Sequence, residues 1–447
     1  MKKPVVSVIG SGYVGLCTAV GFASKEFKVL LSDIDTKKIA KIEAGTPPFY
    51  EPGLEKLLKK TITNGNLICL SDNTKQAILE TDLTFVTVGT PSKPDGSIDL
   101  QFIESVSGDI GKAIQQKNEY HVTVIKSTVV PGTTGSIIKP ILEKTSKMKC
   151  GSDFGLCMNP EFLRQGSAIN DTLCADRIVI GEYDKKSGDT LSDLYNKFYK
   201  GNLPTLIRTS LSTAELIKYA SNSLLATKIS FINAMANICE KLPGADVNVV
   251  AQAMGLDKRI NPLFLNAGLG YGGSCFPKDI KALIACSKNL GYPLHLLEEV
   301  ENVNKTQPLK AIELCKTFLG NDLKDKQIAL LGLAFKPDTD DLREARVIPI
   351  INQLLKEGAK ITAYDPVAIP NTKKVFKNKI KYATSINNCL KNAECCIIIT
   401  EWEEFKKLTP KDFIKNMKQP NLIDGRRIFD PKDFKKELKF TAIGLGK

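Results

Sequence analysis

The sequence predicts an α/β protein with a parallel, doubly wound sheet, a central helical region containing one long helix, and a second α/β domain at the C-terminal end. Through the first 210 residues, short apolar strand patterns alternate with helical patterns. A long segment that starts near Ser212 then lacks both proline and glycine, and strand-helix alternation returns after residue 319. The predicted domains are therefore 1–210, 211–318 and 319–447.

The N-terminal strands are predicted from apolar runs that end in turn or polar residues. They are "VVSVIG", "KVLLSDID", "LTFVTVGTP", "HVTVIKSTVVPG", "DFGLCMNPE" and "DRIVIGE". Helical segments separate several of them, which is typical of strands that lie parallel in a sheet covered on both faces.

The long central helix is predicted from "STAELIKYASNSLLATKISFINAMANICEKL". Ser212 or Thr213 can cap its first turn, with Glu215 close behind. At the rise of an α-helix the segment would be roughly 45 Å long, enough to connect two domains.

A dinucleotide fingerprint stands at the start of the chain. Gly10, Gly12 and Gly15 have GxGxxG spacing directly after a strand and at the start of a helix. The next strand ends at Asp33, whose carboxylate can bind a ribose diol and would repel a 2′-phosphate, so the pattern predicts a Rossmann-like domain that binds NAD rather than NADP. Asp35 is the alternative ribose ligand. In the C-terminal Rossmann-like half, "LGLAF" has lost the glycine pattern.

Composition narrows the function classes. The net charge of +13 comes mostly from lysines interleaved with acids, and the lysine-rich part after Lys373 offers no aromatic platform, so we expect no nucleic-acid partner. No apolar run is long enough to span a membrane, and no signal peptide is apparent, which predicts a cytoplasmic protein without a membrane partner. The twelve cysteines form no CxxC pair, so we expect neither a disulfide framework nor a metal site.

Cys275 is the candidate nucleophile, because it follows two glycines and precedes Lys278 and Asp279 in "GGSCFPKD". Oxidation of an alcohol to an aldehyde needs no thiol, but a thiolate can add to the aldehyde, and loss of a second hydride leaves a thioester that water hydrolyses. On the long helix Lys218 and Asn222 are four residues apart, where they could stabilise an oxyanion, while Asp279 could assist proton transfer.

Together these motifs resemble the UDP-glucose 6-dehydrogenase family of nucleotide-sugar dehydrogenases over nearly the whole chain. The segments that carry the resemblance include "GSGYVGL", "YEPGLEKLL", "VGTPSKPDGSIDL", "KSTVVPGTT", "NPEFLRQGSAIND", "FLNAGLGYGGSCFPKD", "GLAFKPDTDDLREA" and "DGRRIFDP". The resemblance implies a hydride-transferring N-terminal domain, a central helical region that forms the contact of a homodimer, and a C-terminal domain that binds the UDP part of the substrate.

The resemblance also implies roles for individual residues. Cys275 would be the nucleophile, Lys218, Asn222 and Asp279 would stabilise intermediates or order water, and Thr128 and Glu161 would assist proton transfer and hydrolysis. The expected NAD contacts are Gly10, Gly12, Val14, Gly15, Asp33, Lys38, Thr90, Thr128, Lys278 and Arg343. The expected contacts to UDP-glucose are Glu161, Phe162, Leu163, Lys218, Asn222, Arg259, Phe264, Leu265, Gly272, Lys336 and Arg426, with Arg259 reaching in from the partner subunit.

Three positions depart from the family pattern. Gln165 stands where many members carry a second glutamate, so no ionised acid-base group is available there. Ala234 replaces a common glutamate, and "EKLPGADV" is longer than usual, which we interpret as changes in helix packing.

The leading hypothesis is NAD-dependent oxidation of UDP-glucose to UDP-glucuronate with two NAD consumed. Two alternatives stay open: oxidation of a different UDP sugar, and a binding or regulatory protein that keeps the fold and uses its positive charge on nucleic acid.

Overall fold

The computed structural model describes residues 3–446, which form an α/β chain with two sheets and a helical region between them in sequence. The strands of the first sheet are β1 Val6–Ile9, β2 Val29–Asp33, β3 Leu67–Ser71, β4 Leu83–Val86, β5 Val122–Ile125, β6 Gly155–Met158, β7 Arg177–Glu182 and β8 Thr205–Ser210. Those of the second are β9 Gln327–Leu331, β10 Lys360–Tyr364, β11 Lys381–Tyr382, β12 Cys395–Ile398, β13 Asn421–Asp424 and β14 Lys439–Ala442.

Helices connect most of these strands. In the first part of the chain they are α1 Tyr13–Ser24, α2 Thr36–Glu43, α3 Leu54–Thr63, α4 Thr74–Leu79, α5 Gln101–Ile114, α6 Lys139–Ser146, α7 Ala168–Leu173 and α8 Lys185–Phe198. The central helices are α9 Leu211–Cys239, α10 Val247–Gly255, α11 Phe276–Asn289, α12 His295–Thr306 and α13 Lys310–Leu319. The last are α14 Val347–Lys356, α15 Ile369–Phe376, α16 Ile386–Leu390, α17 Glu403–Lys406, α18 Pro410–Asn416 and α19 Pro431–Phe434, and short turns of other helix types lie at Thr134–Ile138, Gln307–Leu309 and Lys377–Lys379.

Both sheets have the doubly wound order. The first runs β3-β2-β1-β4-β5-β6-β7-β8 and the second β11-β10-β9-β12-β13-β14, so β1 and β9 hold equivalent central places. All pairs are parallel except β6 with β7, which is antiparallel. The predicted fold class is confirmed, with this one reversed pair added to the parallel pattern.

The chain divides into two compact units. Unit 1 comprises residues 1–221 and 281–291, and unit 2 comprises residues 222–280 and 292–447. Each has its own apolar core. In unit 1, β1, β4 and β5 are buried on both faces, and in unit 2 β12 is buried on both faces and β9 is buried except at Gln327. The boundaries at 210 and 318 that we predicted from sequence stay a prediction.

The long helix α9 begins one residue earlier than predicted, and its cap differs. The hydroxyl of Ser210 accepts a hydrogen bond from the Thr213 amide at 3.3 Å. The carboxylate of Glu215 is buried and accepts hydrogen bonds from the amides of Gly132 and Thr134. Glu215 therefore fixes a loop of unit 1 instead of closing a capping box.

Candidate active site

The glycine fingerprint forms an open cradle at the end of β1. Gly10 has a φ of 97°, and Gly15 packs so closely that a Cβ there would lie 1.9 Å from the Gly10 carbonyl oxygen. A Cβ on Gly12, in contrast, would have no atom within 4 Å. Gly12 is also the N-cap of α1, whose first amides are unsatisfied by any side-chain cap. The space and the exposed amides at Gly12 fit the pyrophosphate of a dinucleotide.

Asp33 lies at the end of β2 beside this cradle. Its Oδ2 accepts hydrogen bonds of 2.6 Å from both the amide and the hydroxyl of Ser11, and Lys38 Nζ is 3.7 Å away. Burial alone would raise the pKa of Asp33, but the hydrogen bonds from Ser11 and Asp35 and the charge of Lys38 lower it below its ordinary value. The carboxylate is therefore charged at neutral pH, as a ligand for a ribose diol requires.

The alternative ribose ligand, Asp35, has another role. Its carboxylate is the N-cap of α2 and accepts a hydrogen bond of 3.0 Å from the Lys38 amide. Of the two acids, Asp33 is the one at the strand end. Thr90 and Thr128 follow β4 and β5 at the same edge of the sheet, where the Thr90 hydroxyl donates to the Thr128 carbonyl at 2.8 Å, and Val14 lies half-buried in α1.

A buried ion pair joins Glu161 to Lys218. Lys218 Nζ on α9 donates to Glu161 Oε1 at 2.9 Å, and each side chain is 4% exposed. Burial alone would raise the pKa of Glu161, but the charge and hydrogen bond of Lys218 and a 2.6 Å hydrogen bond from the Leu163 amide lower it. The neighbouring ring of Phe162 has Lys218 Nζ 5.6 Å and the Arg177 guanidinium carbon 3.9 Å from its centroid. The structure thus places a charged carboxylate out of bulk water.

Glu51 fixes the loop that follows Glu161. Its buried carboxylate accepts hydrogen bonds of 2.7 Å from the amides of Gly166 and Ala168 and a third from the hydroxyl of Tyr13. Tyr13 is the first residue of α1, directly after Gly12. The start of the fingerprint helix and the loop after Glu161 therefore share one anion. Gln165 lies in this loop as a half-buried neutral side chain.

The loop before Cys275 packs tightly within unit 2. The Gly273 amide donates to the Arg343 carbonyl at 2.9 Å. A Cβ on Gly272 would lie 2.3 Å from the Glu344 carbonyl oxygen, and one on Gly273 would lie 2.7 Å from the Phe335 ring. Both glycines are thus required by packing, and they hold the half-buried Cys275 directly before α11.

Two predicted residues contact Asp279 on the first turn of α11. Asn222 Nδ2 donates to Asp279 Oδ2 at 2.6 Å, and Lys278 Nζ donates to Asp279 Oδ1 at 2.7 Å. Asp279 is 1% exposed, so the carboxylate depends on these partners. Arg343 pairs with Asp341 at 2.6 Å; burial alone would lower the pKa of Arg343, but the hydrogen bond and charge of Asp341 raise it above its ordinary value.

The other predicted substrate contacts lie on different segments of unit 2. Arg426 follows β13 and donates to the carbonyls of Ile399 at 2.6 Å and Gly270 at 3.3 Å, which ties it to the loop before Cys275. Leu265 is buried, Phe264 has a φ of 67°, and Lys336 Nζ is 5.9 Å from the Phe335 ring centroid. Arg259 makes no hydrogen bond or ion pair here with these predicted residues. Its side chain is 89% exposed and pairs with Asp257 at 2.6 Å.

The twelve cysteines are all free thiols, and most are buried. Burial raises the pKa of Cys69 to about 11 and those of Cys150, Cys157 and Cys389 to about 12, and it also raises the pKa values of Cys17, Cys239, Cys286 and Cys396. Cys174 is the one exposed cysteine of the twelve. Among the described residues, no group of three or more His, Cys, Asp or Glu side chains is placed to hold a metal ion.

Sequence reasoning missed Lys126 and its partner Asn159, which lie at the base of the Glu161 loop. Lys126 is buried directly after β5, and its Nζ donates to Asn159 Oδ1 at 2.9 Å. A lysine that continues an apolar strand, in "VTVIKST", was the available signal. Polarity alone does not separate a buried lysine from one that ends a strand at the surface.

The open glycine cradle and the charged acid at the end of β2 are typical of an NAD-dependent oxidoreductase. Family models agree in all three parts of the chain. Residues 4–199 match the NAD binding domain, residues 212–306 the central domain and residues 329–431 the UDP binding domain of the UDP-glucose/GDP-mannose dehydrogenase family. The chain belongs to this family.

Named relatives are similar over nearly their full length. The chain is 42% identical to UDP-glucose 6-dehydrogenase TuaD of Bacillus subtilis, covering 96% of this chain and 90% of the relative. It is 42% identical to UDP-glucose 6-dehydrogenase AglM of Haloferax volcanii, covering 95% and 96%.

Solved structures agree with this relationship. The UDP-glucose dehydrogenase of Pyrobaculum islandicum superimposes with a TM-score of 0.91 at 36% identity, covering 99% of this chain and 98% of that one. A UDP-D-ManNAc dehydrogenase from Pyrococcus horikoshii gives a TM-score of 0.85 at 25% identity, covering 98% and 99%. No helix within residues 3–446 combines the length and apolarity that crossing a membrane would need.

Proposed function

We propose that the protein oxidises UDP-glucose to UDP-glucuronate with two NAD and one water consumed, through intermediates bound to Cys275. The observation that carries the proposal is the loop at 272–275, whose glycines pack the chain so that one half-buried thiol stands at the start of α11. The near full-length similarity to two UDP-glucose 6-dehydrogenases supports the substrate.

In the proposed mechanism the alcohol at carbon 6 is first oxidised to an aldehyde, with loss of a hydride and a proton. The Cys275 thiolate then forms a C–S bond to the aldehyde carbon, giving a hemithioacetal, and loss of a second hydride leaves a thioester. Water attacks the thioester, the C–S bond breaks, and the carboxylate and the thiolate are released. NAD, when bound, supplies the acceptor for each hydride.

The buried polar groups suit the proton and charge steps. Glu161, held as a carboxylate by Lys218, would accept protons from the alcohol and from the attacking water, with Thr128 assisting. Asn222 and Lys218 would stabilise the oxyanions, and Asp279 would hold Asn222 through their 2.6 Å hydrogen bond.

The proposed binding residues form two sets, one for NAD and one for UDP-glucose. NAD would be held by Gly10, Gly12, Val14, Gly15, Asp33, Lys38, Thr90, Thr128, Lys278 and Arg343. UDP-glucose would be held by Glu161, Phe162, Leu163, Lys218, Asn222, Arg259, Phe264, Leu265, Gly272, Lys336 and Arg426, where the cations suit the diphosphate.

The first test is the stoichiometry of the purified protein. We expect two NADH per UDP-glucose, read by absorbance, and a UDP-uronic acid identified by mass. One NADH with an aldehyde product would remove the thioester steps. Turnover with N-acetylated UDP sugars but not with UDP-glucose would change the substrate and keep the enzyme class, and no NADH with any UDP sugar would reject the function.

The second test separates Cys275 from the other thiols. Cys275→Ser should keep the affinity for NAD and lose at least about 10³-fold in steady-state turnover, because a nucleophile at the reacting carbon is removed. Cys174→Ser is the matched control, since Cys174 is an exposed cysteine and should leave turnover unchanged. Full activity of Cys275→Ser would contradict the covalent mechanism.

We also propose that the protein is a homodimer through unit 2. On α9, Leu224, Phe231 and Ile238 repeat every seven residues and are 63%, 47% and 50% exposed. Val249 on α10 and Leu256, the C-cap of that helix, are also seven residues apart and exposed. Exposed apolar residues at two-turn intervals are typical of a helix face that packs on another helix, and a second copy of the chain supplies an identical face.

Light scattering coupled to gel filtration tests the dimer. The wild type should have twice the mass of one chain, and Phe231→Glu with Ile238→Glu should shift it to one chain mass while circular dichroism stays unchanged. Exposed Arg259 would then serve the neighbouring subunit, so mixing Arg259→Ala with Cys275→Ser should restore activity if sites are shared.

The free thiols also fit a reducing compartment, and we therefore propose that the enzyme is located in the cytoplasm.

A further inference from the structure

Lys126 is a buried cation that the proposed mechanism does not use. It follows β5 directly, is 9% exposed, and its Nζ lies 5.8 Å from the centroid of the Phe85 ring. Its Nζ donates a hydrogen bond to Asn159 Oδ1 at 2.9 Å. Burying an ammonium group costs free energy unless a nearby negative charge compensates, so the position calls for a functional explanation.

The partner of Lys126 is rigidly held. The Asn159 amide donates to the Ile125 carbonyl at 2.8 Å, its Nδ2 donates to the Val179 carbonyl at 2.8 Å, and its Oδ1 also accepts from the Tyr195 hydroxyl at 2.5 Å. Asn159 stands two residues before Glu161. Lys126 is therefore anchored at the base of the segment that carries the Glu161 carboxylate.

Lys126 and Glu161 also line one cavity of about 80 Å³ in unit 1. The volume is sufficient for water molecules that bridge polar groups. The charged and titratable side chains around Lys126 and along this cavity are Glu161, Arg164, Asp171, Cys174, Asp176, Arg177, Tyr195, Tyr199 and Lys218. Burial raises the pKa of Tyr195 well above its ordinary value. It also raises the pKa of Cys17, which faces Glu161 from α1, so both side chains are neutral near pH 7.

The charges around Glu161 are unequal. One carboxylate faces two lysines, Lys218 by a direct hydrogen bond and Lys126 by its charge, and both favour the ionised form of Glu161. Burial lowers the pKa of Lys126 to about 8, Glu161 acts against this shift, and Lys218 adds to it. Lys126 therefore carries its proton at neutral pH because the Glu161 carboxylate is near.

We propose that Lys126 is a positioning residue for Glu161: its ammonium group, anchored on Asn159, keeps the buried Glu161 carboxylate ionised and able to accept a proton. The inference rests on the proposed role of Glu161 as the base. Without Lys126, burial of the carboxylate would be opposed only by Lys218 and the hydrogen bond from the Leu163 amide, and Glu161 would take up a proton at a higher pH.

The test compares Lys126→Met with Tyr195→Phe in the full-length enzyme. Both variants remove one hydrogen bond to Asn159 Oδ1, but only the first removes a charge. In profiles of kcat/KM against pH with UDP-glucose and NAD, Lys126→Met should move the acidic limb upward by about one pH unit, which is a tenfold loss below that limb. Tyr195→Phe should leave the limb in place. Equal losses in both variants with no movement of the limb would mean that Lys126 only supports packing, and would overturn the proposal.

A measurement without substrate keeps this test separate from the proposed function. The pKa of Glu161 is lowered in the folded protein, so the stability that its charged form contributes is present above the ordinary carboxyl value and is lost as the pH falls through the folded value. The part of that stability due to Lys126 is absent from Lys126→Met.

The Tm of the wild type relative to that of Lys126→Met should therefore fall as the pH is lowered from 7 to below 4.5, whereas its Tm relative to that of Tyr195→Phe should stay constant. A gap for Lys126→Met that does not change with pH would overturn the proposal even if the enzyme turns over normally. Failure of the wild type to oxidise UDP-glucose would reject the proposed function and leave this comparison valid.

Discussion

The two sheets share one strand order and differ at the place where a ligand would bind. In the first sheet the turn after β1 is open at Gly12, and Asp33 at the end of β2 remains 11% exposed. In the second sheet the equivalent turn after β9 is closed. Asp365, which follows β10, is buried and accepts hydrogen bonds from the amides of Leu333 and Ala334 at 2.7 and 3.1 Å and from Trp402 Nε1 at 3.0 Å.

The comparison shows that strand order alone does not define a dinucleotide site. In the second sheet the turn amides that could bind a pyrophosphate are already used by Asp365, and the Thr400 hydroxyl donates to the Ala334 carbonyl at 2.6 Å. Asp33 accepts a hydrogen bond from one turn amide, that of Ser11, whereas Asp365 accepts from two, those of Leu333 and Ala334. Four predictions test this difference, from the largest expected effect to the smallest.

The largest effect should follow substitution of the fingerprint glycine. In Gly15→Ala the new Cβ would lie 1.9 Å from the Gly10 carbonyl oxygen, so the turn must move. We expect the affinity for NAD, measured by calorimetry, to fall at least about 100-fold, or about 2.7 kcal/mol. Gly332→Ala in the second sheet is the matched control: its φ of 99° and the Thr400 contact at 2.5 Å should lower Tm and leave NAD affinity intact. Loss of NAD binding in both variants would contradict the distinction.

The next effect compares the two acids. Asp365→Asn weakens hydrogen bonds from three buried donors and should lower the free energy of unfolding by about 2 kcal/mol without changing NAD affinity. Asp33→Asn should weaken NAD about tenfold and improve the ratio of NADP to NAD binding, because the charge that repels a 2′-phosphate is gone. Denaturant titration and ligand titration separate the two outcomes, and a reversed pattern would be evidence against them.

A smaller effect should appear on acidification. Burial lowers the pKa of His121 to about 3, while its ring nitrogens contact the Thr84 hydroxyl at 2.8 Å and the Thr81 carbonyl at 3.0 Å. The unfolded chain binds this proton near pH 6.5 and the folded chain does not, so stability falls as the pH drops from about 6.5 towards 3. The one histidine in unit 2, His295, is exposed.

Hydrogen exchange at pH 6.5 and 5 should therefore show faster opening of β4 and β5 and a smaller change in β9 and β12. His121→Gln should reduce the difference between the two sheets. Equal acceleration of exchange in both sheets of the wild type would show that another group controls acid stability.

The smallest effect is an expected absence of change. Ala334→Gly restores part of the glycine spacing after β9, but the amides at 333 and 334 remain bonded to Asp365. Calorimetry should therefore still give one NAD per chain. Two NAD per chain would mean that glycine spacing, and not the occupied amides, separates the sheets.

Much of the fold was predictable because its signals are local. The apolar runs of β1, β2, β4, β5, β6 and β7 and the unbroken segment of α9 depend on residue type and spacing, and the structure has a strand or helix at each. The strands β3 and β8 were not predicted. The antiparallel pairing of β6 with β7 was not predictable, since "DRIVIGE" has the same apolar pattern in either direction. That Asp35 caps α2 was also not predictable, because the cap depends on the geometry of the turn between β2 and α2.

The candidate site was predicted unevenly for a related reason. Residues in glycine-rich or charged motifs, such as Cys275 and Asp279, stand out in sequence. Lys126 and Glu51 act through partners more than 30 residues away: Lys126 bonds Asn159, and Glu51 bonds Gly166 and Ala168. Such partners are brought together by tertiary packing, which no local pattern encodes.

The burial of the cysteines has a consequence for selective chemistry. Most of the thiols need an alkaline solution before they become nucleophilic, since their pKa values are raised by burial. An electrophile presented to the unmodified enzyme at neutral pH therefore meets few competitors, chiefly exposed Cys174. A sugar nucleotide carrying a mild electrophile at carbon 6 would act as a covalent probe for Cys275. The fraction of enzyme that it labels could be measured by mass in cell extracts, without first replacing the other cysteines.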